Sequence, residues 1–298
     1  MGLAWQQGPL AAGRIGRFLV AEPLPERLLY AEPLRRRMRV RFAGAWIAQS
    51  DDVVLLHEPG RYPVAYFPRA DVVADVLHPG PAAVAHRDLG PAVWYAVRVA
   101  ERATPRGAWE HTELPAFADI LTGRVAFAWH AMDAFYEEDE RIVGHAADAY
   151  HRIDIRRTSR RLTVHAEDRE IARSDQPLVL YESGFAPRWY VPRSDVAEAE
   201  LSPNPRQTFC PYKGLCGYYD IGSSRAAAWS YPQPYRDVER IAGLVSFEPD
   251  RVTVTIDGVV QHLAPGQQVV PHGPDRNLTV EEAGGDDEGQ PSPAPATM

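Results

Sequence analysis

The chain is almost without lysine: of its 32 lysine and arginine residues, only Lys213 is a lysine. Cysteine is nearly as scarce, with Cys210 and Cys216 alone, and the lysine and both cysteines share one seven-residue stretch. A C-x5-C spacing with no second pair gives neither a zinc framework nor a disulfide scaffold. No apolar run approaches the roughly 20 residues a spanning helix needs. Met1 to Gly16 lacks the charged-then-apolar pattern of a secretory signal, and Gln6 stands where a myristoylation motif wants Ser or Thr. These absences lead to the expectation of a cytoplasmic protein with no membrane association, where a bridge between the two thiols is disfavoured. Surplus positive charge is also missing: the net charge of -8 argues against nucleic-acid binding.

What is present suits a soluble globular chain: 298 residues, 45% hydrophobic and 24% charged, room for two domains and a tail. The charge is unevenly spread. Arg35, Arg36, Arg37, Arg39 and Arg41 form one cluster, and Arg152, Arg156, Arg157, Arg160 and Arg161 another. Ion pairing with the acids Glu137 to Glu140 is the expected use of these guanidiniums, ahead of phosphate binding. A position that stays lysine under so complete an arginine bias points to a need for a compact or deprotonatable amine; the plain alternative is that one lysine must fall somewhere.

A shift of 124 residues aligns Val40–Val72 with Val164–Val196 without a gap, and 14 of the 33 positions are identical. The matches include Ile47/Ile171, Ser50/Ser174, Glu58/Glu182, Tyr66/Tyr190, Arg69/Arg193 and Asp71/Asp195. Further on the shift becomes 120, and Ala108-Trp109 meets Ala228-Trp229. Identity this dense is duplication. Each copy reads as short alternating strands: in the second, Leu162–Val164, Glu170–Arg173, Leu178–Tyr181, Arg188–Val191, Gly217–Ile221, Ala226–Tyr231, Leu244–Phe247 and Val252–Ile256. Turns are expected at Glu167-Asp168 and Asp257-Gly258. Asp195 caps a short helix running to Leu201, which Ser202-Pro-Asn-Pro205 breaks. The reading is a mostly-β chain of two tandem compact domains, each with a short helix, with sandwich or barrel-like closure. Its parts are an irregular arm (1–34), a first repeat (35–140), a basic connector (141–160), a second repeat (161–264) and a disordered acidic tail (265–298).

Chemistry concentrates in Thr208-Phe-Cys-Pro-Tyr-Lys-Gly214. Proline before Tyr212-Lys213 and Gly214 after it make a stiff entry and a permissive exit, a turn that presents side chains. Cys210 is a candidate nucleophile or redox thiol if a cation lowers its pKa, and Lys213 is the candidate cation. Lys213 could otherwise hold an anionic group or, desolvated, form a Schiff base. The bland alternative makes Cys210 a small buried hydrophobe. Under the repeat alignment Cys210 faces His86, Lys213 faces Leu89 and Gly214 faces Gly90. The first copy therefore keeps the turn without the thiol and the amine, and is expected to carry a degenerate site.

Glu182 is the candidate proton acceptor, or a structural carboxylate shared with Glu58. Tyr190 and Trp229 stand in both copies and read as core that lines the site, whereas Tyr231 replaces His111 and can donate a hydrogen bond into a pocket. The connector, with His130, His145, Asp148, His151 and Asp154, offers metal-ligand types at spacings that fit no standard motif; a salt-bridged clamp is the expected use. The sequence leaves the cofactor unknown.

Cys210-Pro-Tyr-Lys-Gly214, Trp229-Ser-Tyr-Pro232, Leu180-Tyr-Glu182 and the connector from Glu137 through Asp154 together resemble the family called domain of unknown function 427, in tandem form, over about residues 35 to 262. The resemblance implies a compact β-rich, tent-like fold. The family at times carries a nucleotidyltransferase label; here Gly222-Ser223 is not followed by the paired aspartates that metal-dependent nucleotidyl transfer needs, and no Walker-type loop is present. Two readings follow. In one, the second repeat is an enzyme acting on a small anionic or carbonyl-bearing metabolite through Cys210, Lys213 and Glu182, with Tyr212, Gly214, Trp229, Tyr231 and Tyr190 binding it. In the other, the same pocket is a non-catalytic ligand-binding or interaction module.

Overall fold

The computed structural model describes residues 28–262 apart from 59–61, 81–83, 143, 147 and 184. The expected disordered tail lies outside these residues. The chain divides into two compact units at Ala149/Tyr150, and each is a pair of antiparallel sheets.

In the second unit the larger sheet runs, edge to edge, Ile153–Arg157, Leu178–Glu182, Arg188–Val191, Val245–Phe247, Ser224–Ser230, Gly214–Ile221 and Leu201–Cys210. The smaller sheet runs Arg169–Ser174, Leu162–Ala166, Thr253–Ile256 and Val259–Val260. The first unit repeats the plan with Tyr30–Pro33, Val54–His57, Val64–Pro68, Arg124–Phe127, Arg102–His111 and Gly90–Val99, the last paired on its outer side with the two short strands Leu77–Pro79 and Val84–His86, and a four-stranded partner sheet. Both large sheets are open, so neither unit closes into a barrel.

Alternation sorts the side chains onto two faces. Val164, Ile171, Val191, Ala228, Val245 and Phe247 pack between the sheets of the second unit. The opposite face of the large sheet carries Leu180, Tyr190, Cys216, Trp229 and Tyr231, covered by Val238 and Ile241 of the short 3-10 segment Arg236–Ile241. Glu182 is two residues beyond Leu180 on its strand and shares that face. The candidate site therefore belongs to the face away from the smaller sheet.

The hairpin turns are where the residue pairs put them. Glu167 and Asp168 take φ of 49° and 63°, and Asp257 and Gly258 take 49° and 83°, the left-handed pairs that close two-residue hairpins. Local expectations fail in four places. The arm turns regular at its end, because Tyr30–Pro33 pairs with Val54–His57; the connector likewise contains a strand, Ile153–Arg157, paired with Leu178–Glu182. The helix expected from Asp195 is two 3-10 turns, Arg193–Asp195 and Glu198–Glu200, and Asp195 closes the first rather than capping a helix. The proline-rich stretch after it forms the ten-residue strand Leu201–Cys210. Pro203 and Pro205 are tolerated because this strand is the sheet edge and bulges between Asn204 and Gln207.

The arginine cluster of the first unit pairs with the expected acids: Arg36 with Glu137 at 2.5 Å, Arg37 with Asp139 at 3.0 Å and Arg39 with Asp139 at 2.8 Å. Among the described residues no helix is long and apolar enough to cross a membrane.

Candidate functional site

The strand Leu201–Cys210 turns through Pro211, Tyr212 and Lys213 into Gly214–Ile221. The turn is closed by the Lys213 N–H donating to the Cys210 carbonyl at 3.2 Å. Gly214 has φ of +96°, a conformation that strains any residue with a Cβ, and its first-unit counterpart Gly90 has +77°. This geometry folds Lys213 back across the sheet. Its ammonium donates to both oxygens of Glu182, at 2.5 and 2.6 Å. Both side chains are only 9% exposed.

Glu182 has a second partner. His151 Nε2 lies 3.0 Å from Glu182 Oε1, and its ring stacks on Tyr212 with centroids 3.8 Å apart and planes 11° from parallel. An ionised carboxylate only accepts, so His151 donates from Nε2. The three groups form one chain, Lys213–Glu182–His151, clamped from the turn side by Tyr212.

The electrostatics follow from this packing. Burial opposes ionisation of Glu182, but the Lys213 charge and the bonds from His151 and Lys213 outweigh it and hold the carboxyl down at about 2. Burial likewise opposes the Lys213 charge, and Glu182 overrides it, holding the amine above its ordinary value. Lys213 is therefore a fixed cation. The ion pair with Glu182 disfavours the Schiff-base role considered for it, because a nucleophilic amine must first lose its proton.

The other predicted residues gather on the same face. Tyr190 is buried, and its hydroxyl accepts from Trp229 Nε1 at 3.2 Å. Burial raises the Tyr190 hydroxyl and does the same to Tyr231, so both are neutral donors near pH 7. Cys216, which the spacing of the motif does not single out, lies among them, and burial pushes its thiol up to about 12. Both cysteines are free, Cys210 half-buried and Cys216 buried. A cavity of about 90 Å3 elsewhere in the unit, lined by Leu162, Arg188, Trp189, Phe247 and Val254 among others, contains no residue of the Lys213 site.

His151 reads from sequence only as part of the connector. Its signal is its place two residues before the strand Ile153–Arg157, whose end pairs Ile153 with Glu182. That pairing is a long-range register that sequence spacing does not reveal. Of the other connector groups, His145 stacks on Tyr62 with centroids 4.0 Å apart, and Asp154 pairs with Arg152 and Arg156.

The first unit holds a related arrangement around Glu58. Tyr66 and Trp109 repeat the Tyr190–Trp229 contact, with the same 3.2 Å bond and the same 6.4 Å between ring centroids. Glu58 is 1% exposed and bonded by His86 Nε2 at 3.0 Å. The histidine at the Cys210 position thus reaches the carboxylate that Lys213 reaches in the other unit, while Leu89 packs where the lysine would be. His111 Nε2 lies 3.1 Å from the Tyr66 hydroxyl, and burial first, then His86, holds its imidazole down at about 4.

Glu58, His86 and Asp88 bring three metal-ligand types within 4.8 Å of one another. The hydrogen bonding of His86 disfavours a metal there. Its Nδ1 accepts the Asp88 and Leu89 backbone N–H groups, both at 3.1 Å. The ring proton therefore sits on Nε2, and a metal at Nε2 would leave that proton no place on the ring.

Fold and site together define a protein of two like antiparallel units, each holding a glutamate against the turn that leads into the long strand beginning at Gly90 or Gly214. The chain belongs to the family described as Domain of unknown function (DUF427), whose model matches residues 30–138 and again residues 154–258. A search of curated proteins found no match.

Proposed function

We propose that the chain is a small-molecule-binding protein whose second unit takes a small anionic or carbonyl-bearing metabolite at the Cys210–Gly214 turn. The observation that carries this reading is the single lysine of the chain, held as a cation by Glu182 and His151. A charge kept out of water at this cost, where the sibling unit folds with a leucine, serves recognition better than folding. In this reading Lys213 orients and polarises the ligand, Glu182 and His151 fix the ammonium, Tyr231 donates from the side, and Tyr190, Trp229, Tyr212 and Gly214 shape the wall. Half-buried Cys210 lies at the start of the turn, where a thiol can contact what Lys213 binds. Any catalysis here proceeds by polarisation and proton transfer, with Glu182 as acceptor once a ligand draws Lys213 away.

The alternative, a non-catalytic binding module, is favoured by one observation: Glu182 and Lys213 neutralise each other's charge, which suits a sensor as well as an enzyme. The test is mass spectrometry of metabolites that co-purify with the wild type and with Lys213→Met. A compound enriched by the wild type and lost from the variant is the expected result. Equal recovery on both overturns the lysine site. Turnover of the recovered compound separates enzyme from module.

A further inference from the structure

We infer that the second unit selects a neutral carbonyl compound, such as an amide, ketone or aldehyde, over a carboxylate or phosphate. This narrows the site proposed above and rests on it. An ammonium has three N–H donors, and Lys213 uses two of them on Glu182, at 2.5 and 2.6 Å. One donor is left for a ligand, on a side chain whose charge is already balanced. An oxygen bonded to that last N–H comes within about 4–5 Å of the Glu182 oxygens, given ordinary hydrogen-bond lengths. A carboxylate placed there would be repelled by Glu182 nearly as strongly as it is drawn to Lys213, and would lose its own hydration as well. A carbonyl dipole meets no such repulsion and gains a charge-assisted bond in a low-dielectric setting.

Among the described residues the other basic groups near this face are engaged or lie at its edge: the His151 imidazole is bonded to Glu182, and Arg206, on the edge strand, lies over the Tyr218 ring at 4.7 Å. Arg188, which lies over the Trp229 ring, is paired with Glu248 at 3.3 Å. Arg240, in the covering 3-10 segment, donates to the Ile155 carbonyl. The hydroxyls of Tyr190 and Tyr231 and the thiol of Cys216, on the same face, are neutral and can donate to or pack around a carbonyl group.

Trifluoroacetamide and trifluoroacetate have the same shape and differ in charge, so the pair isolates this choice. Their binding to the wild type is read by fluorine line broadening and by the amide signals of Tyr212 and Gly214. The expected result is an affinity for the amide at least tenfold above that for the anion, with shifts at Tyr212 and Gly214. Glu182→Gln removes the repelling charge and should reverse the order. Tighter binding of trifluoroacetate to the wild type overturns the inference and leaves the site standing. No shift at Tyr212 or Gly214 with either probe overturns both. The wild-type comparison decides the matter without any variant that must fold.

Discussion

Glu58 and Glu182 stand at equivalent strand ends, each 124 residues from the other, and the two units hold them by different means. The second unit brings a lysine from the following turn and a histidine from the preceding segment. The first brings a histidine from the equivalent turn, locked by two backbone N–H groups so that its one proton faces the carboxylate. Around both, the Tyr–Trp pair has the same bond length. The scaffold of the site is therefore the duplicated part, and the charge placed in it is the part that diverged. A histidine at the cysteine position also means that the first unit is altered rather than emptied.

The largest expected effect that sharpens this contrast is loss of the cation. Lys213→Met leaves a carboxylate in a poorly hydrated site and should cost the second unit about 3–5 kcal/mol. Glu58→Gln should cost the first about 1–3 kcal/mol, since it exchanges one hydrogen-bonded pair for another. Hydrogen exchange on peptides from Leu178–Glu182 and Val54–His57 reads the two separately. Unchanged protection in Lys213→Met would show that the ion pair does not hold the unit.

Acid should distinguish the units next. The His111 imidazole is depressed to about 4 from 6.5, so the folded first unit disfavours the proton. Its stabilisation is complete above 6.5 and is lost as pH falls from there toward 4, on the order of 3 kcal/mol. Glu182 is depressed to about 2 from 4.5, so its contribution is complete above 4.5 and disappears only toward 2. Between these windows, near pH 4.5, the first unit should exchange faster while the second stays protected. His111→Tyr, which copies the residue at 231, should flatten the first unit's response; an unchanged profile would remove His111 as its cause.

A smaller difference is expected at the paired turn glycines. A Cβ on Gly90 would lie 2.7 Å from the Glu113 carbonyl oxygen, whereas on Gly214 its nearest contact is 3.4 Å, to the Gln233 carbonyl. Both alanine variants carry the left-handed strain of about 1 kcal/mol, and thermal unfolding should show Gly90→Ala as the more damaging. Smallest in energy, and readable by mass mapping, is thiol reactivity. Half-buried Cys210 should alkylate in the native protein, while Cys216, its thiol pushed up to about 12, should react only after unfolding. Native labelling of Cys216 would contradict its burial among Tyr190, Trp229 and Tyr231.

Much of this was legible in the chain itself. Self-comparison revealed the duplication, because matched residues such as Ser50/Ser174 and Tyr66/Tyr190 keep the same spacing in both halves. Period-two alternation marked the strands that carry Leu180, Glu182, Tyr190 and Trp229, and Asp257-Gly258 marked its hairpin by its preference for positive φ. The prolines misled where local rules met a sheet edge: Pro203 and Pro205 read as a break, yet the outermost strand has no outer neighbour to need their missing N–H.

The sequence by itself determined the two units, most of their strands and the turn that presents Lys213, because alternation, turn chemistry and repetition are local or self-referential signals. Only the tertiary structure decided what Lys213 does. The fold of the large sheet brings Glu182, from 31 residues earlier and a strand not paired with either one flanking Lys213, within 2.5 Å of the ammonium, and the pairing of Ile153 with Glu182 carries His151 to the same carboxylate. That encounter turns an amine free to be nucleophile, clamp or cation into a fixed charge. Partners set by long-range register leave no pattern in spacing, since the chain between them is free to vary while the contact is kept.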